Sequence, residues 1–258
     1  MQGDTKDGCM QIRAASLTNY RKVAEASGLN VERVLEKAEV PLHVLTMPDA
    51  QIPANSVIRL LEMSAELSGN GAFGLEMSEG RSLSNIGPIS LLIQNQKNLR
   101  QIFFGMLGGI RRTNDAIFIS VKEDRDEAII DFDVIADSES QKRQAVELFS
   151  GAIVGVIRNF LGARWKPRSV GFIHGGAGNL SVHRRILGEN CRFFCRKNSI
   201  HFASSDLDKT NPAWDEGMAQ YAHELLKSSG LIPVSDSPFR FSEIKNIAVL
   251  GCQQGGER

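Results

Sequence analysis

The chain has 258 residues, 30 basic and 30 acidic, for a formal net charge of zero, and 42% of it is apolar. A neutral chain of this size can bury a core without disulfides or metal, and its overall charge draws it neither to nucleic acid nor to anionic membrane. No apolar run reaches the ~18–20 residues of a membrane span, the N-terminal MQGDTKDGCMQIRAAS has no apolar export core, and four cysteines are too few for a disulfide scaffold, so a reducing cytoplasm is expected.

The first third reads as helical. Ser16 precedes LTNYRKVAEASG, with Leu17, Tyr20, Val23 and Ala24 on one face and Gly28 as its stop. Asn30 caps VERVLEKAEV, which ends at Pro41. Beyond Pro53, SVIRLLEMSAELSG sets Val57, Leu60, Leu61, Ser64 and Leu67 on one stripe, and Gly69-Asn70-Gly71 ends it. Two shorter helical stretches, near residues 72–79 and 98–110, flank a mostly apolar segment over 83–94. The period then changes to two. Ile117, Ile119 and Val121 alternate with Phe118 and Ser120, Ile130, Phe132 and Val134 alternate with Asp131 and Asp133, and the spacer EDRDE joins them into a β-hairpin. SESQKRQAVELFSGAIVGVIRNFLG (residues 138–162) is a helix whose second half is apolar almost all round, so it is buried on most sides. Gly151 and Gly155, one turn apart, are expected to let its backbone lie close against a sheet. SVGFIH (169–174) reads as a strand, SVHRRILG (181–188) as a short helix, and CRFFCRKNSIHFAS (191–204) as a hairpin turning near Lys197-Asn198. The tail from Lys227 carries no clear amphipathic helix. Without βαβ alternation the class is α+β: a helical N-terminal subdomain packed on an antiparallel or mixed sheet of hairpins with a central buried helix.

Few patterns carry chemistry. GGAGN (175–179) lacks the third glycine of a dinucleotide fingerprint and the Lys-Ser/Thr of a P-loop, and reads as a permissive turn. Cys191 and Cys195, with His174, His183 and His201 nearby, invite a zinc reading. Four residues along a strand span about 13 Å at ~3.3 Å each, too far for two ligands of one ion, so the pair reads as small buried side chains. No G-x-S-x-G, H-E-x-x-H or C-x-x-C is present. No enzyme activity, no cofactor and no metal is therefore expected; a hydrolase using Cys191 or Cys195 is the enzymatic alternative. Asp131 and Asp133 read as the solvated face of the hairpin, and His43 as surface. From Arg158 to Lys197 nine basic residues face one acid, Glu189, and the helix and strand periods scatter them. Arg158 and Arg143 stand out, because an arginine on a dry helix needs a carboxylate or a ligand.

Six stretches in register carry a resemblance: IPANSVIRLLEMSAELSGNGAFGLEMSE (52–79), LSNIGP (83–88), RQAVEL (143–148), WKPRSVGFIH (165–174), HRRILG (183–188) and Asp-Leu-Asp at 206–208. Together, from about Leu17 to Leu225, they resemble the N-terminal arabinose-binding type domain of AraC/XylS-family bacterial transcription regulators. The resemblance implies a cytoplasmic module that senses a small-molecule effector and often forms a homodimer. It implies a flexible N-terminus over 1–15, a ligand-binding and dimerisation domain over 16–225 and an irregular tail over 226–258. Family members carry a C-terminal DNA-binding part of two helix-turn-helix units, on the order of a hundred residues. Residues 226–258 lack a basic recognition helix, so direct nucleic-acid binding is not expected, and neither is membrane binding. A truncated product, a stand-alone sensor and an expressed fragment all fit this. An effector would occupy a mostly apolar pocket with a few polar anchors. Candidate anchors are Arg112, which enters the first hairpin, Arg143, which opens the buried helix, and His174, which ends a core strand beside the glycine turn. The alternative is an interaction protein that forms inactive mixed dimers with a full-length regulator.

Overall fold

A computed structural model describes residues 10–105, 116–136 and 141–231, and the backbone of 246–249. Strand β1 (Gln11–Arg13) pairs antiparallel with β2 (Gln51–Pro53) and so clasps the first helices, α1 (Tyr20–Ala26) and α2 (Val31–Lys37). Asn30 caps α2 as its sequence position predicts, its side chain accepting from the Arg33 amide at 2.8 Å. Helix α1, however, begins at Tyr20 rather than after Ser16. Residues Ala14–Leu17 form a 3-10 turn, and Asn19 takes a left-handed φ of 70°. Arg81 donates to the carbonyls of Ala15 and Ser16, at 2.9 and 2.6 Å, where an α-helix would have placed its own amides. Beyond β2, α3 (Ala54–Ser68) ends at Gly69, whose φ of 67° favours glycine. Its stripe of Val57, Leu60, Leu61 and Ser64 is buried, whereas Leu67 is exposed.

Helix α4 (Phe73–Met77), a 3-10 turn (Leu83–Ile86), α5 (Ser90–Gln94) and α6 (helical over 99–105) lead to the sheet. The hairpin of β3 (Ile117–Asp124) and β4 (Glu127–Val134) turns at Arg125-Asp126 and pairs Ile119 with Phe132. Strands β5 (Ser169–Gly171), β6 (Cys191–Arg192), β7 (Asn198–Ala203) and β8 (Asn246–Val249) complete a sheet of order β6-β5-β7-β4-β3-β8. The class is α+β with a mixed sheet, as the sequence predicts. Residues 191–204 do not form a hairpin. Strand β6 runs parallel to β5 on one side, and β7 runs antiparallel to it on the other. Beyond β5 the amide of Cys195 donates to the Phe172 carbonyl at 2.8 Å, and that of Phe194 to the His174 carbonyl at 3.1 Å. Those bonds hold the two arms apart. Alternating hydrophobicity reports an extended chain but not its neighbour.

Helix α7 (Arg143–Leu161) is the centre of the fold, in contact with α3, α4, β4 and α8 (Ser181–Leu187). By length and composition it could cross a membrane, yet 67% of that stretch is buried inside the protein. Its aromatic link to the sheet is Phe149, edge-to-face on Phe132 with centroids 5.8 Å apart. Gly151 meets α4, not the sheet. A Cβ there would stand 2.1 Å from Ser78 Oγ and 2.9 Å from Leu75 Cδ1, while one on Gly155 would meet nothing within 4 Å. Gly74 of α4 answers from the other side, since its Cβ would stand 2.0 Å from the Gln144 carbonyl oxygen. The two helices therefore cross in backbone contact. A last helix, α9 (Glu216–Ser228), is capped by Asp215, whose carboxylate accepts from the Met218 amide at 2.9 Å. Sequence periodicity did not reveal α9.

Candidate functional site

Helices α3 and α7 leave space between them. At the mouth of the β3–β4 hairpin they enclose a cavity of about 190 Å³. Val57, Ile58 and Leu61 line it from α3. Phe149, Ala152, Ile153 and Val156 line it from α7, at the i, i+3, i+4, i+7 spacing of one helical face. Ile117 and Val134 close the sheet end. Its polar lining residues include Ser16, Arg81, Ser82 and Asn85, together with Arg13, Ser78 and Asn159.

Arg81 stands out among them. One terminal nitrogen donates to the Ala15, Ser16 and Thr18 carbonyls, at 2.9, 2.6 and 3.5 Å. Its Nε is buried and has no hydrogen-bond partner, and among the described residues no carboxylate pairs with it. Burial alone pushes the guanidinium down to about 10; arginine nonetheless stays protonated near neutral pH, so the cation is held at a cost. Ser16 Oγ, of a neighbouring lining residue, is also buried and has no partner among the described residues. Arg13 lines the cavity too, but it is neutralised: it pairs with Asp49 and donates to the Ile86 carbonyl at 2.9 Å. Arg81 lies in a loop and carries no periodic signal, and Ser16 reads as the start of a helix, which is why the sequence singled out neither as an anchor.

The sequence-derived anchors lie elsewhere. Arg112 is outside the described residues. Arg143 and His174 come together on one carboxylate, that of Glu147, which is fully buried and belongs to α7. Arg143 Nε donates to Glu147 Oε1 at 3.1 Å, and another of its nitrogens donates to the Gly71 carbonyl. His183 Nε2 stands 3.2 Å and His174 Nε2 3.7 Å from the same oxygen. Neither ring makes a hydrogen bond to it, and Glu147 Oε2 has no partner among the described residues. Phe172 stacks on His174 at 4.9 Å. Burial pushes His174 below its ordinary value, against the smaller opposing pull of the Gly175 carbonyl and Glu147. Burial raises Glu62, which nevertheless accepts from the Gln144 amide at 2.6 Å. This cluster ties α7 to α8 and to the chain beyond β5; neither Arg143 nor His174 lines the cavity. The Arg143–Glu147 spacing of four was readable in the sequence, but His183 reached the cluster through the fold.

Other patterns resolve into structure. Asp131 is buried, not solvated, and takes Lys122 at 2.9 Å and Lys197 at 3.0 Å. Burial pushes its carboxyl up, but the two lysines outweigh that and hold it below the ordinary range. Much of the basic run is likewise absorbed: Arg158 Nε donates to the Trp165 carbonyl, Arg168 pairs with Asp126, and Arg185 with Glu79. Burial pushes the Cys191 thiol up to about 11, the opposite of an activated nucleophile. Among the described residues no group of three or more His, Cys, Asp or Glu is placed to hold a metal ion.

Residues 28–211 match the family model described as the arabinose-binding domain of AraC transcription regulator, N-terminal. No curated protein sequence matches the chain. Among solved structures it is similar to the crystal structure of transcriptional regulator CdpR from Pseudomonas aeruginosa, with a TM-score of 0.56 and 15% identity over 81% of this chain and 62% of that one. At that identity the likeness is one of fold, and the chain spans 62% of the length of CdpR.

Proposed function

Because the chain belongs to the AraC-type transcription regulators, through their N-terminal arabinose-binding-type domain, we propose that residues 16–225 sense a small effector in the cavity between α3 and α7. The observation that carries this reading is the cavity itself: mostly apolar, with a few polar residues in its lining, and inside a domain of a regulator family. Ligand sites are built in that way. A ligand there would touch the N-terminal helices, α7 and the sheet at once, so it can favour one arrangement of these parts over another. In this reading Arg143 and His174 hold α7 and α8 in place around Glu147 and do not grip the ligand. The protein is cytoplasmic and non-enzymatic.

Helix α9 supports a homodimer. It presents Met218, Tyr221 and Leu225 outward at helical spacing, continuing from Trp214, all exposed among the described residues. The same face would serve a mixed dimer with a full-length regulator. Direct DNA contact is no part of the proposal, since Arg168, Arg185 and Lys197 already serve carboxylates.

A screen of metabolites by thermal denaturation tests the effector site. At least one compound should raise the melting temperature progressively as its concentration rises, and Gly155→Phe, which fills the cavity, should abolish the rise. Stabilisation that survives Gly155→Phe would refute the location.

A further inference from the structure

The geometry points to the class of ligand: a small monocarboxylate with an apolar body, its carboxylate held by Arg81 Nε and Ser16 Oγ. This rests on the effector-site reading and goes beyond it. Two residues that line the cavity, Ser16 and Arg81, each carry a buried donor without an acceptor among the described residues, and one of the two is a buried cation with no carboxylate partner there. Arg13, also in the lining, has Asp49; among the described residues Arg81 has only backbone carbonyls. A carboxylate oxygen accepting from Arg81 and another accepting from the Ser16 hydroxyl would satisfy both donors and cancel the charge. A phosphate dianion would overshoot, leaving a negative charge and further oxygens in an apolar space. A sugar ring would set its hydroxyls against Val57, Ile58, Phe149 and Ile153, which offer no partner. The cavity of about 190 Å³ limits the ligand to about six to ten non-hydrogen atoms, by comparison with apolar cavities that hold a benzene ring.

The test uses the full 258-residue chain and matched pairs of probes: benzoate with benzamide, cyclohexanecarboxylate with its amide, and hexanoate with hexanamide. Calorimetry and thermal denaturation should find at least one acid bound at least tenfold more tightly than its amide, as one charge-assisted hydrogen bond requires. Arg81→Lys, which keeps the cation but moves the donor, should lose that preference, and Ser16→Ala should weaken it several-fold. Cooperative melting of each variant establishes that it folds. Gly155→Phe should block acid and amide alike. Acid and amide bound equally, both blocked by Gly155→Phe, would overturn the carboxylate assignment and leave the cavity as an effector site. Binding of no acid at millimolar concentration would overturn the assignment as well, and the effector-site reading would then be decided by the metabolite screen alone. Acid preference unchanged in Arg81→Lys and Ser16→Ala would place the anion elsewhere and overturn it too.

Discussion

Gly151 and Gly155 lie one turn apart on α7, and alanine should act on them with opposite sign. In a helix interior, Gly→Ala stabilises by roughly 0.5–1 kcal/mol where nothing opposes the new methyl. At Gly155 nothing does, because the nearest atoms are beyond 4 Å. At Gly151 the methyl would meet Ser78 Oγ at 2.1 Å, Ser78 Cβ at 2.6 Å and Leu75 Cδ1 at 2.9 Å. Ser78 cannot swing away cheaply. It is buried, its hydroxyl donates to the Leu75 carbonyl at 2.6 Å, and its Cβ is fixed to the backbone just past α4. Helix α4 must therefore retreat, and such overpacking costs about 1–3 kcal/mol. Set against the gain in helix propensity, the net loss is about 0–2.5 kcal/mol, centred near 1. At ~2–4 °C per kcal/mol for a chain of this size, Gly155→Ala should melt a few degrees above the parent and Gly151→Ala a few degrees below it. Urea titration should assign both shifts to the midpoint with an unchanged slope. Equal shifts of the same sign would refute the backbone crossing of α4 and α7.

Glu147→Ala would leave Arg143 and two histidines around a vacated carboxylate site. Breaking a buried pair in this way costs about 3 kcal/mol or more, so a fall of at least ~6 °C in melting temperature is expected. A loss below about 1 kcal/mol would mean that the cluster is stabilised by packing alone. His174 is held below its ordinary value of 6.5, so the folded protein resists the proton that the unfolded chain accepts. Its contribution is complete above pH 6.5 and is lost as pH falls through the depressed value. Melting curves between about pH 7.5 and about pH 5.5 should slope less steeply for His174→Gln than for the parent; identical slopes would remove His174 as a source of the pH dependence. Tyr221→Lys, in the middle of the exposed α9 face, should shift the protein from dimer to monomer in light scattering, and a dimer of undiminished stability would clear α9 of that role.

What was legible in the sequence is what repetition encodes. The period of 3.6 gave α3 and α7, and the period of two gave the β3–β4 hairpin, because in each the core selects one face. Asn30 and Gly69 were readable because caps and stops are local chemistry. What was not legible depends on distant partners. Arg81 shortened α1 by taking the carbonyls of Ala15 and Ser16, a contact across 65 positions or more. Gly151 marked a close approach, but nothing local said that α4 rather than the sheet would make it. Asp131 looked solvated until Lys197 arrived on the far side of β4. The cavity was invisible for the same reason, since a void is a property of two surfaces that fail to meet, and Arg81 in its lining comes from a loop.

The second half of α7 is apolar almost all round because two different demands meet on one helix. Arg143, Glu147, Gly151 and Val154 fall on one stripe, and it carries the buried cluster and the crossing with α4. Phe149, Ala152, Ile153 and Val156 fall on the opposite stripe and form the cavity wall. A residue on the first stripe must be small or internally paired, because a backbone or a buried ring lies against it. On the second stripe a residue must be apolar but need not fill space, which is why Ala152 is tolerated there. A helix is too stiff for its two faces to move separately. Any shift that an occupied cavity imposes on α7 is therefore felt at Glu147, and through His174 and His183 at α8 and the chain beyond β5.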